Sequence, residues 1–302
     1  MTTSEVKGQR LNHPLIAGLL CLAGIICTGG LWRALPDMVD DAYITFQCVK
    51  NLVHYGELTF NVGTRVEAFS NPLMAFLLAP LEVVRIPLPL AARLIGLLSF
   101  GVASYLVYTV IDKMRGDKLT ATLGAACMLA SFPFLYYSVT GLETGLFGAL
   151  LTALAWRLIR GSCANVIDGL LVFAVLLCRP EAVLHVAFLF ACVLVPSWKE
   201  KRATLIAWIW GGVAFLCVIL VRKWYYGLWL PNPFYAKPAG NADLDPATTA
   251  VGAAFNYVLE FFWRCGFVVP LLALFGVAKN VREPAMRALG AIIVASFAFA
   301  VY

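Results

Sequence analysis

"PLMAFLLAPLEVV", residues 72–84, decides how the rest of the chain is threaded. It is apolar but short, and Pro72 and Pro80 punctuate it. If it crosses a bilayer, every later loop changes sides. If it does not, Lys7 and Arg10, "DKMRGDK" (112–118), "RGSCAN" (160–165), "SWKEKR" (197–202) and "KNVREPAMR" (279–287) share one face. Cytoplasmic loops carry the excess of Lys and Arg. The second threading is therefore expected, with 72–84 as an interfacial or re-entrant helix at the outer face.

Composition places the chain in a membrane. Of 302 residues, 61% are hydrophobic and 13% charged, and the mean hydropathy is +0.83; an ordinary soluble domain has about 25% charged residues. The apolar runs predict spans at 14–31, 88–111, 119–138, 144–159, 166–178, 181–196, 203–221, 255–278 and 288–302. The expected fold is all-α: a polytopic transmembrane helical bundle of about nine spans forming one domain over 1–302, with juxtamembrane helices in the first outer loop. Run 14–31 ends in "CTGGLWRALPD" with no A-x-A-like cleavage site, so an uncleaved signal anchor is expected.

The net charge of +6 comes from short basic clusters between apolar runs, with no basic face or aromatic-studded groove for nucleic acid. Most of the nine cysteines lie inside apolar runs and none makes a CxxC, so they read as small apolar side chains.

With 72–84 uncrossed, four loops face outward: 32–87, 140–144 ("TGLET"), 179–181 ("RPE") and 222–254. Most acidic residues collect there. Residues 40–54 are expected to form a surface helix, with Ala42, Phe46, Val49 and Val53 as its apolar stripe and Asp40, Gln47, Asn51 and His54 opposite. Asp40 and Asp41 open that helix, where a carboxylate caps free N–H groups and suits the positive dipole end. Glu67 in "RVEAFSNP" and Glu143 in "GLETG" face the same side. Carboxylates that converge at a membrane interface are costly and mark a functional site.

Arg179 in "CRPEA", Arg222 and Lys223, and Lys237 in "LPNPFYAK" are cations on the face the charge rule leaves poor in them. A lipid-linked phosphate would explain them; snorkelling to outer-leaflet headgroups is the plainer reading. Pro180 fixes the turn at Arg179 and aims its guanidinium. His54 and His185 lie outside any H-x-x-x-H spacing and read as structural. Glu260 and Arg264, at i,i+4, read as a neutralising pair.

"DDAYITFQCVKNLVHYGELTFNVGTRVEAFSNPL", "LPLAARLIGLL", "GLETGLF", "CRPEAVL" and "LPNPFYAK", in that order over about residues 14–240, resemble the polytopic GT-C glycosyltransferases of the mycobacterial terminal arabinofuranosyltransferase group. More distantly they are similar to aminoarabinose and protein mannosyltransferases. The resemblance implies inverting transfer of a sugar, arabinofuranose in the nearest look-alikes, from a polyprenyl-phosphate donor to a glycan, lipid or protein acceptor. It implies a multi-pass protein of the bacterial inner (plasma) membrane with its site facing the periplasm or cell exterior. Asp40 and Asp41 would then bind or activate the acceptor hydroxyl or hold a divalent cation. Glu67 and Glu143 would supply the second and third acidic positions, and Arg179 and Lys237, with Arg222 and Lys223 beside them, would hold the donor phosphate. Such enzymes continue into a soluble outer domain, so a chain ending at Tyr302 is expected to be incomplete at its C-terminus.

The chemistry is consistent with this: a carboxylate takes the acceptor proton, cations stabilise the departing phosphate, and no nucleotide-binding loop is needed. The rival readings are a transporter or flippase for a lipid-linked or anionic substrate, and a non-catalytic lipid-binding or assembly protein. A transporter predicts internal repeats and broken helices at the bilayer midplane. The sequence has no such repeat, and its ionisable residues gather at one face.

Overall fold

The computed structural model describes residues 38–129, 131–160, 166–191 and 202–239, with short pieces at 282–283, 286–290 and 292–293. The expected spans 14–31 and 255–278, most of 288–302, the Glu260 and Arg264 pair, and most of loops 160–165 and 197–202 lie outside the described residues.

All regular structure among the described residues is helical. The elements are α1 (Asp40–Tyr55), α2 (Pro72–Val83), α3 (Leu88–Arg115), α4 (Lys118–Leu129), α5 (Phe132–Val139), α6 (Thr144–Arg160), α7 (Val166–Cys178), α8 (Ala182–Leu189), α9 (Arg202–Tyr226) and α10 (Asn232–Ala239). Two helices, Leu88–Met114 and Arg202–Tyr226, are long and apolar enough to cross a membrane. Only 28% and 17% of their most apolar windows are buried, whereas the core helix of a soluble protein would be mostly covered. The side chains left bare include Leu94, Leu98 and Val102 on α3 and Ile209, Trp210 and Leu216 on α9.

α1 forms where its apolar stripe predicts. Ala42, Phe46 and Val49 are buried, together with Cys48, and Gly56 ends the helix in the left-handed conformation at φ 73°, which costs glycine little. Burying a phenylalanine such as Phe46 contributes about 1.5–3 kcal/mol. Asn51, expected on the polar face, is buried: its Nδ2 donates to the carbonyls of Thr59 and Phe60 at 2.9 and 2.8 Å. The folding back of loop 56–61 turns what would be a wet face into an interior one.

α2 is a 12-residue helix and reaches about 18 Å at 1.5 Å per residue, short of a ~30 Å hydrocarbon layer. It packs against α1, α3 and α7, with Met74, Ala75 and Leu78 in the core beneath α1. The run 119–138, read as one span, is two helices, α4 and α5. The second begins at Phe132 with Pro133 in its first turn, where the missing N–H costs nothing. Of run 181–196, α8 covers Ala182–Leu189, and residues 192–196 lie outside the described residues.

Backbone contact holds the bundle close. Gly169 of α7 and Gly211 of α9 face each other, and a Cβ on Gly211 would lie 2.5 Å from the Gly169 carbonyl oxygen. Gly96 of α3 and Gly145 of α6 likewise close on Ser138 of α5. Small residues at crossings are how helices associate without a hydrophobic drive from water. An ion pair between half-buried Arg157 and buried Asp168 ties α6 to α7.

Candidate functional site

Three of the quoted motifs meet at one chain of polar side chains. Thr45 Oγ1 on α1 donates to Asn71 Oδ1 at 3.1 Å, and Asn71 Nδ2, just before α2, donates to Glu143 Oε2 at 2.6 Å. The other carboxylate oxygen, Glu143 Oε1, accepts from Arg179 Nε at 2.6 Å. Arg179 Nη1 reaches Glu181 Oε1 at 2.9 Å, and Nη2 lies 3.5 Å from Thr144 Oγ1. Thr45, Asn71 and Glu143 are buried, whereas the Arg179 side chain keeps 29% of its surface open.

Local structure sets these positions. Gly141 adopts φ 85° and sits so tightly under Ala42 that a Cβ would come within 2.9 Å. The Val39 N–H donates to the Thr140 carbonyl at 3.2 Å. The start of α1, where Asp40 and Asp41 stand exposed, is thereby pinned to the turn that carries Glu143. Val39 is the N-cap residue and no side chain caps α1, so neither aspartate plays the capping role; both lie in its first turn, at the positive end of the helix.

A second pair lies deeper. Glu67 and Arg222 are 3% and 7% exposed, and Arg222 Nε donates to Glu67 Oε2 at 2.6 Å. Burial raises the Glu67 carboxyl above its usual range, and Arg222 offsets part of that rise. The Glu67 carbonyl also accepts from the Asn232 N–H at 3.1 Å, which ties "RVEAFSNP" to "LPNPFYAK". Tyr226 Oη donates to the Leu58 carbonyl at 2.6 Å, and Arg65 lies over the Tyr225 ring.

The expected site residues thus fall into three settings. Glu143 with Arg179, and Glu67 with Arg222, are brought together as ion pairs. Snorkelling is excluded for Arg222, which is buried on Glu67 instead of reaching toward headgroups. Lys223 donates to the Gly227 carbonyl at 2.7 Å and lies over the Trp229 ring, closing the end of α9. Lys237 lies on α10, and its side chain is outside the described residues.

Sequence reasoning missed Thr45, Asn71 and Glu181. Asn71 precedes Pro72 in "SNP", which reads only as a helix boundary, and Glu181 follows Pro180 in "RPE", which reads only as a turn. The signal that could have found Glu181 is its place two residues from a cation facing the same loop. Among the described residues no three His, Cys, Asp or Glu side chains gather as metal ligands.

A separate open groove of about 800 Å³ lies between α1, loop 60–61 and the α2–α3 turn. None of Asp40, Asp41, Glu67 or Glu143 lines it.

The described residues thus form an all-helical structure with two candidate membrane spans and paired ionisable residues at one cluster of loops. The chain is 27% identical over 224 residues to the terminal beta-(1->2)-arabinofuranosyltransferase of Mycobacterium tuberculosis (strain ATCC 25618 / H37Rv), over 67% of this chain and 35% of that protein. The chain spans about a third of the length of this relative. The similarity is distant and supports a relationship to glycosyltransferases. No family model matches the chain, and no solved structure does.

Proposed function

We propose that this chain is the membrane portion of a GT-C glycosyltransferase that moves a sugar, arabinofuranose by analogy with the similar protein, from a polyprenyl phosphate to an acceptor hydroxyl with inversion. The observation that carries the reading is the polar chain Thr45, Asn71, Glu143, Arg179 and Glu181, which draws three separated motifs to one place. Helix packing alone does not require buried carboxylates there.

In this reading the Arg179 guanidinium receives the donor phosphate. It has five N–H donors; Nε and Nη1 are engaged with Glu143 and Glu181, which fix its plane and leave donors on the terminal nitrogens. Glu143 acts as the positioning residue for Arg179. Asp40 or Asp41, exposed on the start of α1 that the Val39 to Thr140 hydrogen bond pins to the turn before Glu143, takes the acceptor proton as the glycosidic bond forms and the sugar–phosphate bond breaks, so the lipid phosphate leaves with that electron pair. Glu67 and Arg222 hold the floor of the site by fastening loop 56–71 to α9. Threading 72–84 along the outer face places these loops outside the inner membrane, where a glycan, lipid or protein acceptor would be met.

The residues described do not assemble a site for a divalent cation. Neighbouring helix positions diverge by about 100°, which separates the Asp40 and Asp41 carboxylates, and no third ligand joins them among the described residues. No step is routed through a metal. If a cation nonetheless bridges the two aspartates, EDTA will abolish transfer and magnesium will restore it.

The test is transfer of labelled sugar from a synthetic polyprenyl phosphate by the full-length protein. Asp40→Asn or Asp41→Asn should reduce turnover by roughly 10²-fold or more with donor binding intact, because Asn keeps the shape and cannot accept a proton. Wild-type turnover in both variants would remove the aspartates from the chemistry.

A further inference from the structure

We infer that the groove between α1 and the α2–α3 turn is a binding site for the headgroup of an anionic phospholipid of the surrounding bilayer, held by Lys50 and Arg85. Both residues line the groove and are exposed. Neither side chain forms a hydrogen bond or ion pair with another described residue. The other ionisable side chains lining it are Glu82 and His54, with His54 Nε2 3.3 Å from the Glu82 carboxylate, so the groove's one carboxylate is engaged and its two unpartnered charges are positive.

Depth selects the ligand. Leu88 and Pro89 line the groove and are also the first residues of α3, the candidate span Leu88–Met114. The groove therefore sits where that span leaves hydrocarbon, the level of lipid phosphates. Below it, Leu90, Leu94 and Leu98 are exposed along α3 and Val83 and Val84 beside the turn, giving acyl chains an apolar wall. Tyr43 and Phe60 on the opposite rim suit the headgroup zone.

Arg85 adds an independent observation. It is the non-glycine residue with a positive φ, 61°, among the described residues, a conformation that L side chains adopt rarely and under strain. Strain of this kind collects at ligand clamps. A glycine would relieve it, and would also remove the cation from the groove.

The inference rests on the reading of α3 as a membrane span and is independent of sugar transfer. The experiment is native mass spectrometry of the full chain released from phosphatidylcholine nanodiscs containing phosphatidylglycerol, with wild type, Lys50→Gln/Arg85→Gln and Lys50→Arg/Arg85→Lys compared. Each cation near an anionic lipid surface is worth roughly a fivefold preference. Retention of phosphatidylglycerol over phosphatidylcholine should therefore fall by about 25-fold in the Gln pair and persist in the charge-conserving pair. Equal retention by wild type and the Gln pair overturns the site. So does displacement of phosphatidylglycerol by polyprenyl monophosphate at equal concentration, which would give the groove to the donor. Release of the chain from membranes by alkaline carbonate would overturn the span itself, separately from either result.

Discussion

Arg222 and Lys223 are adjacent, and both end a 25-residue apolar helix, yet they do different work. Arg222 is buried on Glu67, while Lys223 turns back to the Gly227 carbonyl. Removing one member of a buried pair costs about 3–5 kcal/mol when the other stays charged. Glu67→Ala leaves a guanidinium that cannot shed its proton, so it should lie in that range; Arg222→Met should cost less, because Glu67 can neutralise itself by binding a proton. Thermal unfolding in detergent would measure both, and equal losses would contradict the asymmetry. Burial already holds the Glu67 pKa above its usual value, with Arg222 opposing. Protonated Glu67 is thus favoured in the folded chain more than in the unfolded one. Its contribution to stability is complete below the unfolded carboxylate range, and it is lost as pH rises through the raised folded value. Glu67→Gln should flatten that part of the pH profile. Arg179→Ala should weaken binding of the polyprenyl-phosphate donor by about 1.5–3 kcal/mol, the worth of a charge-assisted contact; unchanged donor affinity would return Arg179 to a purely structural pairing with Glu143 and Glu181.

At the scale of elements, the site depends on how closely the helices approach. Gly211 on α9 meets both the Gly169 carbonyl and Val172 of α7, and backbone on the far side cannot move aside as a flexible side chain would. Gly211→Ala should destabilise by about 1–3 kcal/mol, as overpacking does, and Gly211→Val by more. Gly56→Ala has open space around it but requires φ 73°, so it should cost about 1–2 kcal/mol through conformation alone. Thermal stability of the three variants separates crowding from strain: only the Gly211 changes should worsen with side-chain size. The periodicity of residues 40–54 made α1 legible. The break between α4 and α5 was less so, because an apolar run of that length satisfies a span by hydropathy, and only the first-turn Pro133 hints at a new start.

For the whole molecule, the decisive question is the side on which each loop lies. Helix α2 is too short to cross alone, and its buried face is taken by α1 and α7. Single cysteines introduced at 112–118 and at 140–144 in a cysteine-free background should differ when an impermeant reagent is applied from outside: 140–144 labels and 112–118 does not. Labelling at 112–118 would turn the cluster of loops around Glu143 inward and overturn the proposed donor side. The sequence by itself determined the helical, membrane-suited character of the chain, because apolar content and the 3.6 period of α1 are local properties that water and lipid enforce segment by segment. It also picked out carboxylates and cations in the loops between apolar runs, which stand out against an apolar background. It could not assign their partners. Glu143 to Arg179 spans 36 residues and Glu67 to Arg222 spans 155, and no local rule links positions so far apart. Asn51 and Asn71 were buried by the return of loop 56–71 under α1. Only the tertiary structure decided these pairings, because a buried charge must find a partner wherever packing brings one.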